Sequence, residues 1–442
     1  KNNMYVKVKI KFVLSLLVSF AWIAVATYLA IPWFYDIAAQ LGSVLAVIII
    51  LTLAIIPGWA MSFVISSLCF DKRPNYKEKV FNAPPLTLLI AAYNEENNII
   101  DTLSSISSQE YNSHLRVIII DDGSTDKTAE KASEFINNHF SESKTFELVK
   151  HEKNQGKAQA LQTGLNLTET KYIITMDGDS YLLKNSVDNL VRNIVFGPPM
   201  TAAVAGSVLV RNSRKNLITR LQEWDYFHGI ATIKRVQSLY QGTMVAQGSF
   251  SVYRTDFVRR VGGWPSKIGE DIVLTWGLRE KGDRISYAEN AFCFTHVPET
   301  YKQFFRQRKR WARGLIEAFK KYPRSLTQLK MTLPFIWYNL CFPLVDSSYL
   351  LFFIPGIVLA LLFKCYLLVG LMTILLLPLA VIANIIFFYK QKKIFKKYGL
   401  KVRRNVFGFL FYMLIYQTLM APATVAGYLS EVLNLTKKWG TK

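Results

Sequence analysis

Residues 86–98 read Leu-Thr-Leu-Leu-Ile-Ala-Ala-Tyr-Asn-Glu-Glu-Asn-Asn, a mostly apolar run of seven residues that ends abruptly in polar ones. A short apolar run of this length is typical of a buried strand, and the polar residues indicate the loop that ends it. Leu103 and Ile106, three positions apart, then indicate a helix. This stretch therefore predicts a buried strand that leads through a polar loop into a helix.

The same order of elements recurs along the central part of the chain. An apolar run at 116–120 is followed by a predicted helix at about 127–138, and a helix at about 157–166 precedes a strand at 172–176. Strands that alternate with helices are the signature of an α/β domain with a mainly parallel sheet. Polar clusters follow these strands, and open α/β sheets bind ligands at the carboxyl ends of their strands. We therefore expect a binding site at that edge.

The composition predicts membrane segments on both sides of this domain. Of 442 residues, 51% are hydrophobic, and the formal net charge is +22. The apolar residues are concentrated towards the two ends, whereas most acidic residues lie in the middle. The sequence contains no recognised nucleic-acid-binding motif, so nucleic acid is not expected as a partner. The positive charge is assigned to the flanks of membrane helices.

Five stretches are predicted to span the lipid bilayer, since a crossing takes about 20 apolar residues. They are residues 12–34, 41–70, 347–363, 366–389 and 406–429. The prolines, aromatic residues and lysines of 317–345 favour amphipathic helices in the membrane interface instead. The predicted division is therefore two membrane helices at 1–70, a soluble domain at 71–316, interfacial helices at 317–345 and three membrane helices at 346–442.

Lysine and arginine predict the orientation, because they concentrate on the cytosolic side of a membrane protein. The N-terminus and the central domain are therefore expected in the cytosol, with the protein in the cell membrane. Five spans would leave the C-terminus outside, whereas its own lysines favour the inside, and a sixth crossing within 317–345 would change this result. The basic residues used for this prediction are Lys1, Lys7, Lys9 and Lys11 at the N-terminus, Lys72, Arg73, Lys77 and Lys79 after the second span, those of the loop 390–404, and Lys437, Lys438 and Lys442 at the C-terminus.

The first candidate for chemistry is Asp177-Gly178-Asp179, at the end of the predicted strand 172–176. Two carboxylates one residue apart can both reach one hard cation, which in turn bridges a diphosphate. The cysteines and histidines show no ligand spacing, so zinc is not expected. Two aspartates at a strand-to-turn junction are also common without any function, and the motif alone leaves both possibilities open.

Two further clusters suit a nucleotide. Asp121-Asp122-Gly123-Ser124 combines carboxylates that can accept hydrogen bonds from a base or ribose with a glycine that permits a tight turn. Gly156-Lys157 stands at a predicted helix start, where a lysine charge and free backbone N–H groups suit a phosphate. Each cluster is also compatible with an ordinary turn or a solvated helix start.

The last two clusters lie nearer the C-terminus. Glu270-Asp271 begins an apolar helical stretch, and Asp271 is a candidate general base for an acceptor hydroxyl. Acidic residues at a helix start are also favoured simply by the helix dipole. Gln307-x-x-Arg310-Trp311 lies in a strongly basic run, which is compatible either with a membrane surface or with a diphosphate beside a sugar ring stacked on the tryptophan.

Taken together and in this order, with membrane spans before and after, the five clusters resemble the family 2 glycosyltransferases. The likeness is strongest to the processive, membrane-embedded synthases of cellulose, chitin, hyaluronan and poly-β-1,6-N-acetylglucosamine, and among these to the last. The resemblance implies a GT-A-like domain, inverting transfer from a UDP-sugar, and Mg²⁺ or Mn²⁺ as cofactor. It also implies a growing polysaccharide as acceptor, and it leaves open a small accessory subunit in the membrane.

The resemblance assigns a role to each motif residue. It places the nucleotide against Tyr93, Glu95, Asp121 and Asp122, the diphosphate near Lys157, and the metal on Asp179 with Asp177 beside it. Asp271 is implied as the catalytic base, with Glu270 next to it, and Gln307, Arg310 and Trp311 as the motif of processive members. Two positions depart from the usual pattern: Gly269 stands where threonine is frequent, and Gln247 precedes Gly248 where serine is usual.

The function implied is a processive synthase that polymerises UDP-N-acetylglucosamine into poly-β-1,6-N-acetylglucosamine and moves the polymer across the membrane. Gln247 leaves the sugar open, so hyaluronan-, chitin- and cellulose-type synthases are alternatives. A non-processive transferase that modifies a lipid carrier is a further alternative. A transporter with a nucleotide-sensing domain is disfavoured, because Asp346 and Glu431 lie at the edges of the predicted spans.

Overall fold

The computed structural model describes residues 6–71, 80–139, 141–402 and 404–436, without the side chains of 371–377 and 379. The contacts divide the chain into two compact units. The helical unit contains Lys1–Arg73, Phe305–Arg313 and Ser325–Leu435, and the sheet unit contains Pro74–Phe304, Gly314–Arg324 and Thr436–Lys442. The helices are α1 (Val8–Leu41), α2 (Ser43–Ile50), α3 (Ile56–Cys69), α4 (Ile99–Ser107), α5 (Thr128–Asn138), α6 (Lys157–Asn166), α7 (Ser186–Val195), α8 (Leu217–Trp224), α9 (Ala231–Leu239), α10 (Thr255–Arg260), α11 (Glu270–Glu280), α12 (Tyr301–Lys321), α13 (Leu333–Ser348), α14 (Ile354–Phe363), α15 (Leu371–Lys397) and α16 (Val406–Val432).

The sheet unit is built on one sheet of eight strands in the order β3-β2-β1-β4-β7-β6-β8-β5. Pairing is parallel between β1 and its neighbours β2 and β4, between β2 and β3, and between β6 and β8, and antiparallel elsewhere. The strands are β1 (Leu86–Ala92), β2 (Leu115–Asp121), β3 (Lys144–Lys150), β4 (Tyr172–Asp177), β5 (Tyr181–Leu182), β6 (Thr201–Val210), β7 (Phe250–Arg254) and β8 (Arg284–Thr295). The predicted mainly parallel α/β sheet is confirmed.

Packing follows from the apolar runs. The central strands β1, β2 and β4 are almost wholly buried, and a core cluster that includes Leu89, Ile120, Leu161 and Ile173 joins them to α6. Strands that are buried on both faces read as continuous apolar runs, which explains why the sequence revealed them.

The register brings the polar clusters to one edge. Ala92 of β1 pairs with Asp121 of β2, and Ala91 pairs with Asp177 of β4. Strand β7 runs the other way, and its first residue, Phe250, pairs with Met176. The segment before β7 therefore reaches the same edge as the carboxyl ends of β1, β2 and β4.

In the helical unit, four helices among the described residues are long and apolar enough to cross a bilayer: Val8–Leu41, Ser43–Cys69, Leu333–Phe363 and Val406–Val432. A fifth predicted span, 366–389, corresponds to α15 from Leu371 onward. The structure does not describe the side chains of residues 371–377 and 379 in this helix. Lys1, Lys72, Arg73, Lys77, Lys79, Arg403, Lys437, Lys438 and Lys442 also lie outside the described residues. The cytosolic orientation of the sheet unit therefore stays a prediction.

The structure corrects the boundary predicted at 345/346. Helix α13, a π-helical segment at Tyr349–Phe353 and α14 are continuous from Leu333 to Phe363. Pro334 lies in the first turn of α13, where a missing N–H costs little, and Pro343 is accommodated inside the helix. Asp346 consequently lies within this helix rather than at the edge of a span, and it accepts hydrogen bonds from Gln417 Nε2 (2.9 Å) and the Tyr428 hydroxyl (3.0 Å) of α16.

Candidate active site

The loop after β1 is fastened to the loop after β2. Asn94 has a φ of 55°, in the left-handed region that asparagine tolerates better than most residues. Its Oδ1 accepts a hydrogen bond from the Thr125 backbone N–H at 2.9 Å, and its own N–H donates to Ser124 Oγ at 2.9 Å. This arrangement leaves Tyr93 44% exposed beside the carboxyl ends of the strands.

Glu95 belongs to the same loop, and its side chain lies beside the residues that follow β4. Its backbone N–H donates to Thr128 Oγ1 at 2.7 Å, which fixes the loop on the start of α5. A Cβ placed on Gly178 would lie 3.1 Å from Glu95 Cγ. Glu95 is thus packed against the glycine that separates Asp177 from Asp179.

The buried carboxylate of Asp122 holds the segment that leads to Lys157. It accepts hydrogen bonds from His151 Nδ1 (2.8 Å), the Gln155 N–H (3.0 Å) and the Gly156 N–H (2.7 Å). Asp121, also buried, accepts one from the Ser124 N–H at 3.3 Å. Both aspartates were predicted to contact the nucleotide, and in this structure Asp122 is engaged by the chain itself.

Lys157, the first residue of α6, lies among carboxylates. Its Nζ forms an ion pair with Asp177 Oδ1 and lies 3.9 Å from Oε1 of the buried Glu270. Burial alone lowers the pKa of Lys157, but the negative charges of Asp177 and Glu270 outweigh it and raise that pKa above its ordinary value. The side chain is therefore a firmly charged cation at neutral pH.

Gly248 lies between Lys157 and Asp271. Its N–H donates to Asp271 Oδ2 at 3.2 Å, and a Cβ on Gly248 would lie 2.7 Å from Lys157 Nζ. A side chain at position 248 would displace the lysine. The other oxygen of Asp271 accepts a hydrogen bond from the Ile272 N–H at 2.8 Å, in the first turn of α11. The predicted base and the predicted diphosphate lysine thus flank one glycine.

Asp179 lies two residues beyond the end of β4 and turns towards β8. Its Oδ1 accepts a hydrogen bond from Thr295 Oγ1 at 3.1 Å. Within the described residues, no three His, Cys, Asp or Glu side chains converge as a metal site. Two nearby carboxylates of the Asp-x-Asp type still suit a hard cation such as Mg²⁺ or Mn²⁺, because these ions complete their shells with water and substrate phosphates.

Gln307, Arg310 and Trp311 lie on α12, in the stretch that belongs to the helical unit. All three are half-buried. The Arg308 guanidinium lies 4.2 Å from the centre of the Trp311 ring, a cation–π contact. The Gln307 Oε1 atom is buried and has no hydrogen-bond partner among the described residues.

Comparison with known proteins identifies the central segment. Residues 87–262 match the sequence profile of glycosyl transferase family 2. This segment of the chain is therefore similar to family 2 glycosyl transferases. The match ends before Glu270, so the acidic pair at the start of α11 lies beyond it. The resemblance inferred from the motifs is confirmed.

Curated proteins that are similar to this chain are named as synthases. This chain is 33% identical, over 57% of its length, to poly-beta-1,6-N-acetyl-D-glucosamine synthase of Staphylococcus epidermidis, and the alignment covers 60% of that protein. The protein of the same name from Staphylococcus aureus (strain MSSA476) is 31% identical over 60% of this chain and 65% of its own. The chain thus aligns with less than two thirds of the length of these relatives.

A solved structure shares the fold. The mannosyltransferase PcManGT from Pyrobaculum calidifontis, in complex with GDP-Man and Mn²⁺, covers 88% of this chain and 99% of its own with a TM-score of 0.62. The sequence identity is 18%, so this likeness shows the fold alone. The expected GT-A-like fold is confirmed.

Sequence reasoning missed one charged neighbour of the site. Lys234 of α9 is partly buried, and burial lowers its pKa to about 7 against the opposing effect of the Asp271 carboxylate. No motif marks this lysine, because it lies inside a helix that is distant in sequence from Asp271. Gln247 is fixed by its Nε2, which donates to the Gly206 carbonyl at 2.6 Å. The unusual residue of the acceptor segment is therefore tied to β6.

Proposed function

We propose that this protein is a processive, inverting β-glycosyltransferase that polymerises a UDP-sugar and moves the polysaccharide across the membrane. UDP-N-acetylglucosamine is proposed as donor and poly-β-1,6-N-acetylglucosamine as product, since both relatives described above carry that product in their names. One observation carries the chemistry: Lys157 and Asp271 lie on either side of Gly248, so a cation for the leaving group stands close to a base for the acceptor.

On the donor side, Lys157 is proposed to offset the charge that develops on the departing UDP. Fixed charges aimed at the leaving group are among the strongest contributions to the rate of an enzyme reaction. Tyr93, Glu95, Asp121 and Asp122 are proposed to form the nucleotide end of the same edge. Asp122 would do so indirectly, by holding the segment 151–156 in front of Lys157.

A divalent cation is proposed to bind Asp179, with Asp177 beside it. When bound, Mg²⁺ or Mn²⁺ would supply positive charge to the diphosphate. In this structure Lys157 neutralises Asp177. A bound cation would take the place of the ammonium beside this carboxylate, and Lys157 would then pair with the diphosphate.

On the acceptor side, Asp271 is proposed to accept the proton of the attacking hydroxyl. The oxygen attacks the anomeric carbon as the bond to UDP breaks, so a single displacement inverts the α-linked donor to a β-linked product. Such a reaction needs one base and no covalent intermediate. Glu270, whose Oε1 lies 3.9 Å from Lys157 Nζ, is proposed to help hold the lysine side chain in place.

Gln307, Arg310 and Trp311 are proposed to hold the terminal sugar of the polymer, with the aromatic ring of Trp311 stacked on the sugar. The protein would be anchored in the bilayer by the helices Val8–Leu41, Ser43–Cys69, Leu333–Phe363 and Val406–Val432. We further propose that the sheet unit faces the cytosol, where UDP-sugars are available.

The test uses the purified protein in nanodiscs, supplied with individual UDP-sugars and either Mg²⁺ or Mn²⁺. Released UDP and product size are measured together. We expect UDP release with UDP-N-acetylglucosamine and a ladder of long products. A single-sugar adduct would contradict polymerisation and favour transfer to a lipid carrier, and no UDP release with any donor would contradict transferase activity altogether.

A further inference from the structure

The helix that carries Gln307, Arg310 and Trp311 has two unlike faces. At about 100° per residue, these three positions fall on one side of α12. Arg308, Ala312 and Arg313 fall on the other side, and all three are buried, whereas Gln307, Arg310 and Trp311 are half-buried. We name the first side the motif face and the second the anchor face.

The anchor face is bound to the end of α16 by an ion pair. Arg313 Nε donates to Glu431 Oε2 at 3.2 Å, and Arg313 Nη2 donates to the Leu435 carbonyl at 2.7 Å. The exposed fractions of the two side chains are 6% and 5%. An ion pair so thoroughly removed from water fixes geometry, because separating the partners would leave a buried charge uncompensated.

A second contact brings the two helices together more closely than ordinary side chains permit. A Cβ on Gly427 of α16 would lie 2.5 Å from the Lys309 carbonyl oxygen and 2.6 Å from Ala312 Cβ. Gly427 precedes Glu431 by one helical turn, so both contacts come from the same side of α16. Glycine at 427 therefore lets the backbone of α12 approach α16.

A third contact, made by Arg308, connects the same side of α16 to the tryptophan. The Arg308 guanidinium lies 4.2 Å from the centre of the Trp311 ring and 5.8 Å from that of Tyr416. Tyr416, Gly427 and Glu431 are all buried. Trp311 is thus linked through Arg308 to the same helix that holds Arg313.

We infer that Glu431 is a positioning residue for polymerisation: by holding Arg313, it fixes the anchor face of α12 on α16 and so orients Trp311 on the opposite face. This inference rests on the proposed function, in which Trp311 holds the terminal sugar between transfers. Glu431 lies outside every motif discussed above, more than a hundred residues from Trp311 in sequence, and is not among the residues proposed to contact donor or acceptor. Loosening it should release the product early and leave donor binding intact.

The experiment compares the wild type with Glu431→Gln, Gly427→Ala and the exchanged pair Arg313→Glu/Glu431→Arg, all in nanodiscs. Glu147→Gln, which breaks the partly exposed Arg116–Glu147 pair of the sheet unit, is the matched control. For each variant we measure folded yield, the Kd of the UDP-sugar, UDP released per folded enzyme and the length of the product.

We expect Glu431→Gln and Gly427→Ala to lose long products while the donor Kd stays at the wild-type value. The exchanged pair should restore part of the length, and Glu147→Gln should leave it unchanged. Two results would overturn the inference: wild-type product length in both Glu431→Gln and Gly427→Ala, or a loss of folded yield and turnover with unchanged length in the protein that remains. If the wild type itself makes no polymer, the proposed function fails instead.

Discussion

Gly269 and Gly314 face each other backbone to backbone in the sheet unit. A Cβ on Gly269 would lie 2.5 Å from Gly314 Cα, and a Cβ on Gly314 would lie 2.7 Å from Gly269 Cα. The Gly269 N–H also donates to Glu317 Oε2 at 3.1 Å. The start of α11, which carries Glu270 and Asp271, is therefore packed directly on α12. This contact gives a structural reason for glycine at a position where the resembled family often has threonine.

The first prediction follows from this contact. Gly269→Ala should push α11 away from α12 and cost about 1–3 kcal/mol, the usual range for overpacking. Because Asp271 lies two residues further along, turnover should fall more than folded yield does. Thermal unfolding and UDP release test this, with Glu134→Ala on an exposed position of α5 as control. Wild-type stability and turnover in Gly269→Ala would show that the helices can separate without consequence.

The second prediction concerns Asp122. Asp122→Asn replaces one of the two carboxylate oxygens by an NH₂ group, so the side chain can no longer accept the Gln155 N–H on one oxygen and the Gly156 N–H on the other. The segment before Lys157 should loosen, and the donor Kd should rise by about tenfold or more. Isothermal titration with UDP-sugar measures the change. Glu152→Gln alters an exposed side chain of the same segment and should bind normally. Equal affinities for both variants would mean that Asp122 does not organise the donor site.

The third prediction concerns the metal. Chelation should stop UDP release, and either Mg²⁺ or Mn²⁺ should restore it. Asp179→Asn should raise the metal concentration required for half-maximal activity by more than about tenfold, since even indirect contacts of a metal site commonly cost that much. Asp188→Asn on α7 is the control. Full activity of the wild type in chelator would contradict a metal at Asp179.

The fourth prediction concerns pH. Burial lowers the pKa of Lys234 to about 7, whereas its ordinary value is 10.5. Between these values the unfolded chain binds more protons than the folded protein, so this lysine makes the free energy of unfolding rise with pH. The melting temperature of the wild type should therefore gain on that of Lys234→Met as the pH rises above 7. The exposed Lys184→Met should show no such trend, and a constant difference between wild type and Lys234→Met would contradict the prediction.

The sequence predicted the parallel part of the sheet because β1, β2 and β4 are buried on both faces and hence continuously apolar. Strand β3 escaped notice, because Lys144, Glu147 and Lys150 interrupt its apolar residues and its side chains are mostly half-buried. The antiparallel strands were not predicted either, since their partners are distant in sequence and no local pattern encodes the pairing. In the helical unit, prolines were interpreted as interruptions, and Pro334 and Pro343 proved compatible with one long helix.

Position at or just after a strand end was sufficient to select half of the candidate site residues. It could not reveal which groups contact them in the folded chain: Asp122 accepts hydrogen bonds from the segment 151–156, and Asp177 forms an ion pair with Lys157. Nor could it reveal Gly248, whose importance is the space that a side chain would fill. Lys234 was missed because a lysine inside a helix has no distinctive pattern until the fold places it near a carboxylate.

The central claim is that Asp271 acts as the base beside a donor held by Lys157, and Asp271→Asn tests it most directly. Asparagine preserves the shape and can still accept the hydrogen bond from Gly248 through its carbonyl oxygen, but it cannot take a proton from the acceptor hydroxyl. We predict an unchanged donor Kd and a loss of UDP release by roughly 10²–10⁴-fold, the usual contribution of a general base. Turnover close to that of the wild type, or a loss of donor binding as large as the loss of turnover, would contradict this assignment.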